Sequence, residues 1–96
     1  MNQFQLVAQV AEREMLRFTP AGIPIVVAKL SHSSQQLEAK VMRVVEFEVS
    51  ALAVGEISGQ FSQLVLGQSY RFTGFMARKN RNSKSLIFHI TAIAEQ

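Results

Sequence analysis

Apolar side chains recur at every second position over much of this chain, the period of strands half-buried in a sheet. Phe4, Leu6, Ala8 and Val10 alternate with Gln5, Val7 and Gln9 and predict a first strand. RFTPAGIP follows. Thr19-Pro20-Ala21-Gly22 fits a type I turn, with proline at its second position and glycine at its fourth. Ile23 to Leu30 reads as the second strand, with Pro24 near its start because proline has no N–H to give a ladder. SHSSQQLEAK, Ser31 to Lys40, is mostly polar and reads as a hairpin loop. Val41 to Val49 is the third strand; Val45, Phe47 and Val49 share one face, and Glu46 and Glu48 the other. The glycine-punctuated stretch from Ser50 to Leu66 continues that strand towards Val54 and then holds a short helix or turn around Glu56 to Gln63. Tyr70 to Ala77 is the fourth strand and Leu86 to Ala94 the fifth. In the fifth, Leu86, Phe88, Ile90 and Ala92 are expected on one side and Ile87, His89, Thr91 and Ile93 on the other. Both rows are partly apolar, which predicts a sheet that buries surface on both faces.

Five strands with a short helix or turn between the third and fourth describe an all-β, five-stranded OB-fold barrel. On periodicity alone, an SH3-like barrel or a small sandwich fits as well. The chain of 96 residues allows one domain, spanning 1–96, with one modest core. Hydrophobic residues at 48% and charged residues at 18% place it among globular rather than disordered chains. The absence of cysteine rules out disulfides and thiolate metal sites and favours a reducing compartment. No apolar run reaches the ~18 residues of a membrane span, and MNQFQLVAQVAERE lacks the pattern of a signal peptide. A cytoplasmic protein is expected.

Net charge is only +3, yet four of the ten Lys and Arg residues fall within seven positions. The stretch is FMARKNRNSKSLIF, with Arg78, Lys79, Arg81 and Lys84 between two predicted strands. A hairpin tip carries charge merely to stay soluble, or to hold a polyanion. Catalytic patterns are missing. His32, placed in a loop, and His89, placed in a strand, have no cysteine to complete a metal set, and no glycine run has the phosphate-loop spacing. No enzyme, metal or cofactor is expected.

Three segments carry a further signal: RFTPAGIPIVVAKLSH (Arg17 to His32), FEVSALAVG (Phe47 to Gly55) and YRFTGFMARKNRNSKSLIFHITAI (Tyr70 to Ile93). In this order and spacing they resemble the bacterial SSB class of single-stranded-DNA-binding OB-folds, and within it the PriB branch, the primosomal replication protein N family. The most specific element is the [ST]-P-x-G-I-P turn. The resemblance covers about Phe4 to Ala94. SSB proteins proper carry a long Gly/Gln/Pro-rich tail, whereas here Glu95-Gln96 follow the last strand directly, which favours the PriB branch. The resemblance implies a bacterial, nucleoid-associated homodimer that binds single-stranded DNA. It also implies cooperation with the PriA helicase and other primosome proteins in reloading the replicative helicase at stalled forks.

Single-strand binding needs cations for phosphates and π-faces for bases. On an SSB-like barrel the expected phosphate contacts are Arg78, Lys79, Arg81 and Lys84 in the loop between the last two strands. Arg17 stands at a position that is basic in the family, and Lys40 and Arg43 flank the start of the third strand. Lys29 and Arg71 depend on a strand face that the sequence leaves open. Phe18 and Phe75 are the candidate stacking residues, while Phe47, Phe72 and Phe88 are expected in the core. Where relatives place a stacking aromatic on the third strand, this chain has Glu46, with Glu48 beyond it. Two carboxylates there repel phosphate, so binding is expected to be modest and centred on the basic loop. Phe4, Leu6, Ala8 and Val10 of the first strand are the expected dimer contact, alongside closure of the barrel itself. The alternatives are an OB-fold protein-interaction adaptor with weak DNA affinity and a general single-stranded-DNA-binding protein. An RNA-binding OB-fold is disfavoured because the aromatic cold-shock pattern is missing.

Overall fold

The computed structural model describes all residues, Met1–Gln96. Its elements in chain order are β1 (Phe4–Arg13), β2 (Arg17–Phe18), β3 (Pro24–Glu38), β4 (Val41–Val54), α1 (Ile57–Ser62), β5 (Ser69–Arg78) and β6 (Leu86–Glu95). The five predicted strands are β1, β3, β4, β5 and β6; β2 is a two-residue addition on the edge of β3. The sheet runs β1-β5-β6-β4-β3 and closes through a β1–β3 pairing. Only β4 and β6 run parallel, through Ala51↔Phe88 and Leu52↔His89. This is the five-stranded OB-fold barrel, with its helix between the third and fourth long strands.

Alternation fills the interior. Ala8 and Val10, Val26, Ala28 and Leu30, Ala51 and Ala53, Tyr70 and Phe72, and Phe88 and Ile90 form the core. Phe61 of α1 plugs one end and meets Phe72 edge to face at 6.0 Å. Arg13 fixes that plug by donating from Nη1 to the carbonyls of Phe61 at 3.2 Å and Leu64 at 2.6 Å. The first carbonyl also accepts from the Leu64 amide at 3.3 Å; the second lies just past the helix end. The opposite end is open. Phe4, Leu6, Phe47, Met76 and Leu86 line an apolar mouth of about 350 Å³ there.

Three expectations give way. Ser31 to Glu38 is strand rather than loop, and His32 lies within it. β3 and β4 pair from Ile25↔Val54 to Glu38↔Val41, joined by Ala39 and Lys40 with φ of 51° and 66°. Two positive φ values in a two-residue connection make a type I′ turn, here without the glycine or asparagine that usually marks one. Beyond Ser31 the pair leaves the barrel as a two-stranded ribbon with water on both sides, so polar residues sit in strand there.

The fifth predicted strand does not alternate to its end. A bulge shifts the register between Thr73↔Ala92 and Gly74↔Ile90, leaving Thr91 unpaired. Its hydroxyl donates to the Thr73 carbonyl at 3.2 Å. After the bulge Ile93, not Ala92, packs on the core. Gly74 is required opposite, because a Cβ there would collide with the His89 carbonyl.

Phe47 is not in the core. It is 43% exposed at the mouth and leans on its cross-strand partner His32, ring centroids 4.9 Å apart. Finally, Ala8 and Val10, expected at a dimer contact, are 3% and 0% exposed. Their side chains belong to the protomer's own core, so a partner along this strand would meet its backbone edge rather than these two side chains.

Candidate nucleic-acid interface

The connection from β5 to β6 carries Arg78, Lys79, Arg81 and Lys84, all exposed. Its shape is set by its polar residues. The Lys79 amide donates to the Ser85 carbonyl at 3.0 Å and the Ser83 amide to the Asn80 carbonyl at 3.2 Å. Asn80 Oδ1 accepts from the Asn82 amide and Ser83 Oγ from the Ser85 amide, each at 3.0 Å. Asn80 and Ser83 thus act as turn formers, satisfying backbone that would otherwise need water. The four cations enter no ion pair; the two in the chain are Arg17–Glu14 and Arg43–Glu38.

Lys79 reaches over the outer face of the barrel. It lines a groove of about 340 Å³ with Lys29 of β3, Ser50 of β4 and the end of β1, Glu12 to Glu14. Lys29 points outward because Ala28 and Leu30 on either side point in. The face of Lys29, left open by the sequence, is therefore the groove face. Its parity against Val26, Ala28 and Leu30 was the signal available in the sequence. Arg13, in the same groove, is committed to the carbonyls of Phe61 and Leu64. Arg71 sits at the other end of β5, between Val7 and Ala94 and away from this groove.

The remaining sequence candidates are dispersed. Arg17 lies on β2, at the α1 end, and donates to Glu14 Oε1 at 3.2 Å with both side chains well exposed. Such a pair is weak in water, so a phosphate can compete for the guanidinium. Lys40 sits in the turn at the far tip of the ribbon. Arg43 is near that tip, held by Glu38, and its row of β4 continues the core face rather than the groove face. From Arg43 to Ser50 is seven residues of strand, about 23 Å. The structure therefore gathers Lys79, Lys29 and the basic loop, and leaves Arg17, Lys40 and Arg43 apart.

Glu46 and Glu48 lie on the outer row of β4 beyond Ser50, opposite Ser33 and Ser31. Both are exposed. Among the aromatics, Phe18 is 65% exposed on β2. Phe75 is 38% exposed on the outer row of β5, and its ring lies parallel to that of His89, with centroids 4.7 Å apart and planes 15° apart. Nothing in the sequence reveals that His89 meets Phe75; the β5–β6 register brings the two together. His32 is occupied otherwise: Nδ1 contacts the Val7 carbonyl at 2.7 Å and Nε2 the Ser34 hydroxyl at 2.8 Å. No three His, Asp or Glu side chains gather into a metal-holding group. No helix is long and apolar enough to cross a membrane.

One edge of the sheet is unfinished. Phe4 to Ala8 pair with β5 on one side, but the β1–β3 pairing begins only at Gln9↔Ser31. A polar cleft of about 140 Å³, lined by Val7, Gln9, Ser31, Ser33 and Ser69 among others, opens where the two strands part.

Comparison with known proteins adds a family to this geometry. The model of a single-strand binding protein family matches residues 2–92. The replication restart protein PriB of Nitrosomonas europaea is 38% identical over 93% of this chain and 82% of its own length. The solved structure of PriB from Ralstonia solanacearum superposes with a TM-score of 0.91 at 42% identity, covering all of this chain and 98% of that one. The SSB domain of a Synechococcus sp. protein shares the fold, with a TM-score of 0.74 at 15% identity over 99% and 96% of the two chains.

Proposed function

This chain belongs to the PriB family of single-strand binding proteins, and from that premise we propose that it binds single-stranded DNA in replication restart. The finer part of the proposal is that it acts within the bacterial primosome, in the cytoplasm at the nucleoid, binding the PriA helicase and helping to reload the replicative helicase at stalled forks. It acts by binding, with no reaction of its own. The observation that carries the DNA reading is the basic loop: four cations free of carboxylate partners, with Lys79 opening onto a groove shared with Lys29. Phosphate binding there releases counterions without first breaking an internal ion pair. Arg17, Lys40 and Arg43 stand apart from that groove and are proposed as secondary contacts for nucleotides flanking it, and Phe18 is a further surface for a base.

The test is a salt titration of binding to a labelled oligothymidylate. Log affinity against log salt is expected to fall with a slope of about −0.7 per phosphate neutralised. Replacing Arg78, Lys79, Arg81 and Lys84 by Ala is expected to flatten the slope by about 2 to 3 and weaken binding at least about tenfold at low salt. Unchanged binding would remove the loop from the proposal.

A second reading has its own support. Glu46 and Glu48 oppose phosphate on β4, and Leu37, Met42 and Val44 are exposed on the same side of the ribbon. Those features suit an adaptor that grips a protein more than DNA. Comparing binding to a bare single strand with stimulation of PriA on forked DNA separates the two. Loop substitutions that abolish the first and spare the second favour the adaptor.

The chain is also proposed to form a homodimer. The free edge of β1 and the apolar mouth beside it, with Phe4 and Leu6 on its rim, support this reading. A two-stranded ribbon is marginal alone in water, and a second copy packed along it would lend it support.

A further inference from the structure

The outer side of a barrel in water is normally polar, yet one strip here is not. Phe75 and His89 are register partners on β5 and β6, with Leu52 the partner of His89 across the parallel pairing. Ala77 and Ile87 form the next rung towards the basic loop. All five stand on the outward rows, with Ile87 itself buried and Leu52, Ala77 and His89 half-buried, and the two rings lie flat against each other at 4.7 Å. Phe75 keeps 38% of its surface. The strip runs directly into the cations. Phe75, Ala77 and Lys79 occupy one outward row, so the first loop lysine stands about 13 Å along from the ring pair. Ser50, in the groove with Lys29 and Lys79, is one strand over and one pleat along from His89, on the order of 8 Å.

We propose that the Phe75–His89 pair is the platform on which this protein stacks the bases of a single strand, carrying the strand over the outer face of β5 and β6. The proposal rests on the single-strand-binding reading above and adds where the bases go. The other route, over β4, meets Glu46 and Glu48 and no exposed aromatic on the outward row. Carboxylates there repel the phosphates between stacked bases, whereas on β5–β6 the phosphates lie beside Lys79 with Lys29 across the groove; Glu12 and Glu14 line that groove too, but at the end of β1, beyond β3 from β4 and β6. Two rings already parallel need no reorganisation to receive a third, and stacking tolerates any base because every base has a π-face.

The experiment compares two probes of equal length by fluorescence anisotropy, a labelled oligothymidylate and a labelled abasic deoxyribose-phosphate strand. Phe75→Leu and His89→Leu keep the strip apolar and remove one ring each. Each is expected to weaken binding of the oligothymidylate at least about fivefold while leaving the abasic strand and the salt slope unchanged. Phe75→Tyr keeps the ring and is expected to keep the affinity. Melting midpoints confirm that the variants compared are folded. Folded leucine variants that bind the oligothymidylate as the parent does, or that lose both probes equally, overturn the platform while leaving phosphate binding in place. A parent protein that binds neither probe overturns the single-strand reading itself, and the platform with it.

Discussion

Ala39 and Lys40 turn the chain at the tip of the β3–β4 ribbon with left-handed backbone, which L side chains adopt at a cost of about 1–2 kcal/mol per residue. Glycine would adopt it freely, less the entropy it brings to the unfolded chain. Lys40→Gly is therefore expected to stabilise the ribbon by about 0.5–1 kcal/mol. Because a two-stranded ribbon opens locally, the gain should appear as about two- to fivefold slower hydrogen exchange at the amides of Gln36 to Val44, more than as a higher melting point. The same variant removes a proposed phosphate contact. If its DNA affinity is unchanged, Lys40 lies off the path of the strand. Gly74 is constrained in the opposite sense. It has no room for a side chain because the bulge at Thr91 brings the His89 carbonyl over it.

At the scale of the element, β4 carries both signs of the functional question. Its inner row supplies Val49, Ala51 and Ala53 to the interior; its outer row supplies Ser50 to the groove shared by Lys29 and Lys79, and Glu46 and Glu48 to the face beyond. Two unit charges about 10 Å apart in water interact by about 0.4 kcal/mol, a factor of about two. Replacing both glutamates by glutamine is thus expected to tighten single-strand binding about three- to fourfold at low salt. The gain should fade near physiological salt, where screening acts over about 8 Å. A much larger gain in the titration would mean that the strand does run over β4, contrary to the β5–β6 path. The basic loop shows the converse economy. Its asparagines and serines close the turn, which leaves its cations free for a ligand.

For the whole molecule, the barrel has one plugged end and one open end. Arg13 and Phe61 secure the first. Phe4, Leu6, Phe47, Met76 and Leu86 leave the second apolar, beside a free strand edge. This is the surface on which the proposed second copy would pack. Sedimentation equilibrium at micromolar concentration is expected to return twice the 10.7 kDa of one chain. Phe4→Asp is expected to shift the mass to that of one chain, since a carboxylate in an apolar interface loses its hydration without a partner. A single-chain mass for the parent would remove the dimer from the proposal.

The sequence by itself determined the strands that alternate against the core, the turn at Thr19 to Gly22, the short helix after Gly55 and the basic loop. Each depends on neighbours close along the chain: a period of two, a Pro and Gly at fixed spacing, four charges in one run. Tertiary structure decided the rest. Ser31 to Glu38 is strand because β4 pairs with it rung by rung, although its polar residues carry no buried face to announce it. Ile93 replaces Ala92 in the interior because of a bulge that only the β5–β6 register defines. Ala8 and Val10 belong to the core because β1 closes its own barrel, a fact of topology rather than of pattern. Lys29 meets Lys79, and Phe75 meets His89, across separations of 50 and 14 residues; strand order and twist, which local propensity does not encode, bring them together.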